Sequence, residues 1–211
     1  MLNNRILFEG RLMPLLRSII PSFPLPVALE PYLWQNMEEE PILKYGKILE
    51  GWQEKHKKAY YVVTGFVIVF VFDVKGNRHS FRFYRRHTIV ALDSFLNETA
   101  SEYMIWRCPG VVLWSITRKH IQCIYDQMEG MELMVEKTVN KFHIANEQLR
   151  ECFLMLHADL RVLKFYQEEE FKRLIPIRSS PILDQDIADH LAMSLPRFRR
   201  IRKRILEKGL L

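Results

Sequence analysis

Apolar positions change period along the chain, and those changes divide it. In the first 25 residues Pro14, Pro21 and Pro24 limit any helix, and Pro26 follows. Residues 25–37 predict a short helix with Leu29, Leu33 and Met37 on one face. From Pro41 the character changes. Residues 42–49 hold two short apolar runs around a Tyr45-Gly46-Lys47 break, and residues 60–63 and 66–72 are rich in Val, Ile, Tyr and Phe. The latter two read as strands around a Thr64-Gly65 turn. Asp73 to Asn77 is a hairpin connection with Gly76 free for positive φ. Residues 79–85 alternate, and residues 103–107 and 111–116 give two more strands joined through Pro109-Gly110. Short strands separated by turn signals predict an antiparallel barrel or jelly roll.

The period then becomes helical. Thr117 can cap a helix reaching Met128. From Ile121 a series with steps of three and four runs through Ile124, Met128, Met131, Val135, Thr138, Phe142, Ala145, Leu149, Cys152 and Leu156. Gly130 is expected to divide it. The first helix packs on the chain's own core. In the second, Met131, Val135, Thr138, Phe142, Ala145, Leu149 and Cys152 form a stripe narrow enough for a two-stranded coiled-coil seam, which predicts a homodimer. Residues 159–171 predict a further helix, and residues 175–181 (IPIRSSP) a linker.

Two amphipathic helices close the chain in residues 182–205, ILDQDIADHLAMSLPRFRRIRKRI. Ile187, Ala188 and Leu191 share one face of the first. Ser194 is expected to N-cap the second, and Pro196 falls in its first turn, where a missing N–H costs little. The second buries Leu195, Phe198, Ile201 and Ile205 and leaves Arg197, Arg199, Arg200, Arg202, Lys203 and Arg204 outward. A solvated basic face would account for the charge alone. The apolar spacing of both helices, small Ala188 where they approach, and basic residues confined to the second indicate a helix-turn-helix. Ala192 occupies a turn position that often carries Gly, so the backbone there can be strained.

Composition narrows the class. Of 211 residues, 48% are hydrophobic, enough for a substantial core. A net charge of +6 and a pI of about 9.2 favour a polyanionic partner. The three cysteines, Cys108, Cys123 and Cys152, are scattered, which argues against a disulfide framework, zinc or an iron–sulfur cluster and suits a reducing cytoplasm. No signal peptide is evident, and the longest apolar run, residues 60–72, is too short to span a membrane.

The order barrel, long helix, helix-turn-helix resembles the Crp/Fnr family of transcription regulators. The likeness runs from about Leu25 to the end. It is carried by YYVVTG (60–65), residues 73–76 before HSFRFY, residues 89–96 followed by 101–106, and the tail IADHLAMSLPRFRRIRKRI. It implies an α+β chain: a cyclic-nucleotide-binding-like jelly roll over residues 1–128, a dimerisation helix over 129–156, and a winged-helix-like helix-turn-helix over 157–211. With no strands after the second helix, any wing is expected before the first or is minimal. The resemblance also implies a DNA-contacting set of Ser194, Leu195, Arg197, Arg199, Arg200, Lys203 and Arg204, in which Arg200 matches a base-reading arginine. Leu195 and Pro196 stand where several members carry Arg and Glu. In nucleotide-binding members one loop pairs a glutamate with the ribose and an arginine with the cyclic phosphate. Here Leu92 and Glu102 take those positions, leaving Ala91, Leu92, Asp93, Ser94, Ser101 and Glu102 as a degenerate effector pocket. A carboxylate facing a phosphate is repulsive, so cyclic AMP is not expected to bind.

The sequence therefore predicts a non-enzymatic, cytoplasmic, homodimeric regulator of double-stranded DNA without cofactor or metal. RNA polymerase is a partner the resemblance allows, the effector is left open, and no membrane is involved. A protein-interaction module with a solubilising basic tail is the alternative. A cupin-like metal enzyme is remote, because His79 and His87 are the only late-barrel histidines and form no H-x-H pair.

Overall fold

A computed structural model describes residues 8–175, 177, 180 and 182–210. The strands are β1 (Glu38–Glu39), β2 (Lys47–Glu50), β3 (Lys58–Thr64), β4 (Val67–Phe72), β5 (Arg78–Tyr84), β6 (Thr88–Val90), β7 (Met104–Arg107) and β8 (Val112–Thr117). They form two antiparallel four-stranded sheets, ordered β1-β8-β3-β6 and β2-β7-β4-β5. This is the expected jelly roll, and β4 and β5 are the hairpin expected around Asp73 to Asn77, but the other neighbouring strands of the barrel are not hairpin partners. β3 and β4 lie in different sheets, and so do β7 and β8. The Thr64-Gly65 turn thus passes the chain across the barrel. Gly65 has a φ of 86°, and a Cβ there would sit 2.6 Å from Val111 Cγ2, so both backbone and space exclude a side chain.

The helices are α1 (Met13–Ile19, preceded by a π-turn over Phe8–Leu12), α2 (Leu29–Asn36), α3 (Asp93–Asn97), α4 (Arg118–Gln127), α5 (Met131–Leu154), α6 (Ala158–Gln167), α7 (Glu169–Leu174), α8 (Asp184–His190) and α9 (Leu195–Glu207). Gly130, with a φ of 75°, divides α4 from α5 as expected. The helix expected over residues 159–171 is instead two, because Glu168 turns out of the helix at ψ 122°. The linker over residues 175–181 lies largely outside the described residues. Among those described, no strand follows β8. Nor is any described helix long and apolar enough to cross a membrane.

Strand alternation creates two cores. In β3, Tyr60 and Val62 face the barrel interior, while Ala59, Tyr61 and Val63 face outward under α1, α2, α4 and the start of α5. Both faces of this strand are buried, which explains its nearly unbroken apolar run. The interior core continues past Phe66 and Phe83 into Phe153, Phe165, Phe171, Ile187, Phe198 and Ile201. Barrel and C-terminal helices therefore share one body of apolar side chains.

Candidate nucleic-acid interface

The helix-turn-helix closes through backbone geometry. Ala192 takes a left-handed φ of 49°. Its N–H donates to Asp189 O at 3.0 Å, and the Met193 N–H to Ala188 O at 3.0 Å, which satisfies the carbonyls at the end of α8. Ala188 is fully buried where the helices cross. Ser194 is extended and begins α9, but its hydroxyl makes no capping bond, contrary to expectation; its carbonyl accepts from Phe198 N at 2.9 Å. Phe198, Ile201 and Ile205 are buried, and Leu195 is half-buried.

The basic residues of α9 separate by partner. Arg199 Nε lies 2.9 Å from Asp184 Oδ2, and Arg202 Nη2 donates to the same oxygen at 2.9 Å. Burial alone would raise the Asp184 carboxyl, but the Arg202 and Arg199 guanidiniums hold it below the ordinary carboxylate range. Arg204 pairs with Asp159 at 3.3 Å, and Lys203 lies 3.7 Å from Glu207, both of them exposed. Arg197 and Arg200 are exposed and make no ion pair among the described residues. A guanidinium without a carboxylate can accept a phosphate or a guanine edge with no bond to break first. Ser194 is exposed beside them.

The first helix of the motif is seated on the barrel, a contact the sequence did not show. Asp186 is 1% exposed and meets Arg78 of β5, whose Nη2 donates to Oδ2 at 3.2 Å while Nε lies 2.8 Å from Oδ1. Ser80 Oγ donates to the same carboxylate, and Ser80 N donates to Asp189 at 2.9 Å. Arg78 also stacks 4.0 Å over the Phe70 ring. Burial pushes the Asp186 carboxyl up, and Ser80 and Arg78 pull it back only in part. Next to this pair His190 sits among Phe83, Phe153, Phe165 and Phe171, its ring 4.5 Å from that of Phe83. Neither ring nitrogen has a hydrogen-bond partner among the described residues, and burial, with Arg150 and Arg85 nearby, lowers its pKa to about 3. Arg161 ties the motif to the long helix. It donates to Leu154 O at 2.9 Å, Leu156 O at 2.8 Å and Leu191 O at 3.1 Å.

The five of the six expected effector-pocket residues whose side chains are described do not share one pocket. Leu92 faces the barrel interior and Ala91 the outer core. Ser94 is buried and bonds His56 Nδ1 at 2.8 Å, and Ser101 accepts from Tyr103 N at 3.0 Å. Glu102 is exposed and lines a surface hollow with Ser101, Trp52 and Phe81; the side chain of Asp93 lies outside the described residues. Tyr60 donates to the buried Glu50 at 2.8 Å, an interior polar pair that the spacing did not reveal.

The expected seam is also redistributed. Met131, Thr138 and Phe142 are buried by the chain's own residues at 2%, 3% and 7% exposure, so they are not free to meet a second copy. Val135 and Leu149 are half-buried, and Ala145 and Cys152 are exposed. The open face of α5 instead carries Leu133 and Ile144, continued by Met155, at 50%, 56% and 88% exposure.

Two antiparallel sheets, a long helix and a terminal helix-turn-helix define the architecture of the Crp/Fnr regulators, and solved structures bear this out. FixK2 from Bradyrhizobium japonicum is 18% identical, with a TM-score of 0.59 over 82% of this chain and 85% of that one. A regulator assigned to the crp/fnr family from Eubacterium rectale is 17% identical, with a TM-score of 0.65 over 89% of this chain and 88% of its own. The c-di-GMP-responsive global regulator CLP of Xanthomonas campestris is 12% identical, with a TM-score of 0.57 over 82% and 87%. These likenesses establish the fold. No protein-family profile and no curated protein matches the sequence. Among the described residues no cluster of three or more His, Cys, Asp and Glu side chains could hold a metal ion.

Proposed function

We propose that this chain is a homodimeric, DNA-binding transcriptional regulator without enzymatic activity, and that α9 enters the major groove. The observation that carries this reading is the pair Arg197 and Arg200, exposed and without an ion pair among the described residues, on a helix whose opposite face is buried in a helix-turn-helix. Arg200 reads bases, Lys203 and Arg204 hold phosphates, and Ser194 and Leu195 approach the groove edge. The working parts are residues 1–128, 129–156 and 157–211, in a reducing cytoplasm. RNA polymerase is a further partner if the regulator activates. The dimer forms through Leu133, Ile144 and Met155, which recur every eleven residues, three helical turns, along the open face of α5. Cyclic AMP is not the effector, because Tyr60 and Glu50 occupy the barrel interior and Glu102, a carboxylate, stands at the position aligned with the phosphate-pairing arginine.

Selection of bound sites from random duplex DNA tests this reading. A pseudo-palindrome with half-sites about 34 Å apart is expected. Recovery of no sequence, together with a salt-independent interaction, would favour a protein-docking role for the barrel instead.

A further inference from the structure

A cavity of about 80 Å³ lies between the outer face of the β1-β8-β3-β6 sheet and the helices that cover it. Its floor includes Ala59 and Ala91, with Leu16 and Leu33 on one wall and Met131 and Met134 of α5 on the other. Tyr60 pairs with Val90 across β3 and β6, and extending that register by one places Ala59 opposite Ala91. Two of the smallest side chains thus adjoin on a sheet face where large ones pack better, and the hollow follows from them. The polar atoms at its edge are already engaged. Tyr60 bonds Glu50, Tyr61 bonds His87 at 2.9 Å, and the Thr138 hydroxyl bonds Met134 O at 2.7 Å. A water here would lack the two to four partners it needs, so the space is suited to something that makes no hydrogen bonds. We propose that this cavity is an effector site for a small, uncharged, apolar molecule.

Size and lining narrow the ligand. A dry cavity of roughly 150 Å³ accommodates benzene or xenon. The present one takes a diatomic gas, a noble-gas atom or a two- to three-carbon hydrocarbon, and the unbranched methionine side chains can yield to slightly more. The cavity borrows Ile89, Ala91 and Phe95 from the segment aligned with nucleotide binding but opens on its outer face, whereas Leu92 packs in the barrel interior. Its effect on DNA rests on the function proposed above. The first turns of α5 form its wall, and the far end of the same helix holds Phe153 against His190 and its carbonyls on Arg161. An occupant that shifts Met131 and Met134 therefore moves the helix that carries the seat of the helix-turn-helix.

Xenon is the probe. In ¹²⁹Xe NMR the full-length protein should give a saturable shift that is lost in Ala91→Leu, which fills the floor. Ala59→Leu fills it from the neighbouring strand should the first variant fail to fold. A shift that does not saturate, or that survives in a folded filled variant, overturns the site. Operator affinity is then titrated with and without xenon, and a change of about fivefold or more, absent from the filled variant, is expected of an effector. Saturable xenon binding with unchanged operator affinity overturns the effector role. A protein that binds xenon but no duplex DNA would refute the DNA-binding reading and leave the site standing.

Discussion

Ala192 holds the tightest local constraint in the helix-turn-helix. Its φ of 49° places a Cβ in the left-handed region, and its side chain is exposed, so nothing is gained by keeping it. Ala192→Gly should stabilise the protein by roughly 0.5–1 kcal/mol, seen as a Tm rise of about 2–4 °C per kcal/mol. An unchanged or lower Tm would mean that the turn carries no strain. This position was legible from the sequence, because the turn falls at a fixed offset from two amphipathic helices. His190 was not: its four aromatic neighbours come from β5, α5, α6 and α7. Its folded pKa of about 3 lies below the ordinary 6.5. The stability tied to neutral His190 is present above pH 6.5 and is lost as the pH falls toward 3. Arg150 and Arg85 oppose its protonation further. A denaturation series across this window should show a steeper acid loss in the wild type than in His190→Phe; parallel curves would remove His190 from the account.

The elements meet through pairs far apart in sequence. Arg78 and Asp186 are separated by 108 positions, and neither carries a local signal of the other. Breaking one side leaves a buried charge alone, so Arg78→Met should cost about 3–5 kcal/mol in chemical denaturation, while Arg78→Met with Asp186→Leu should recover most of it. Equal losses in the single and double variants would show that the pair is not coupled. The long helix teaches a related lesson. Its three-four series correctly located an apolar stripe, but periodicity cannot say whose atoms cover it. The chain's own residues cover Met131, Thr138 and Phe142. Phe142→Lys should therefore lower Tm, and Ile144→Lys should yield folded monomers in sedimentation. A folded, fully dimeric Ile144→Lys would move the interface elsewhere.

Across the whole molecule the order of parts was legible, because strand and helix periods differ and the switch near Thr117 is sharp. Of the strand partners, β4 and β5 were legible through their hairpin at Asp73 to Asn77, and the rest were not, since a Gly-containing turn can close a hairpin or cross between sheets, as Gly65 does. Net charge also pointed toward DNA without naming the contacts, because Asp184 neutralises two of the arginines on α9. Arg200→Ala should weaken operator binding by about 1–3 kcal/mol and relax one base position. Arg202→Ala should instead lower Tm, since its guanidinium is engaged with Asp184. Equal losses of affinity from the two changes in a fixed-salt titration would refute this division. The aromatic body running from Phe66 through Phe171 and His190 to Phe198 bears on how the molecule comes apart. A hinge of solvated linker would let the two ends melt separately. Here the barrel and the terminal helices own the same interior, so neither end can lose its packing without opening the other's. Scanning calorimetry should show one transition whose van't Hoff and calorimetric enthalpies agree, and a fragment spanning 157–211 alone should remain unfolded, its apolar faces bare.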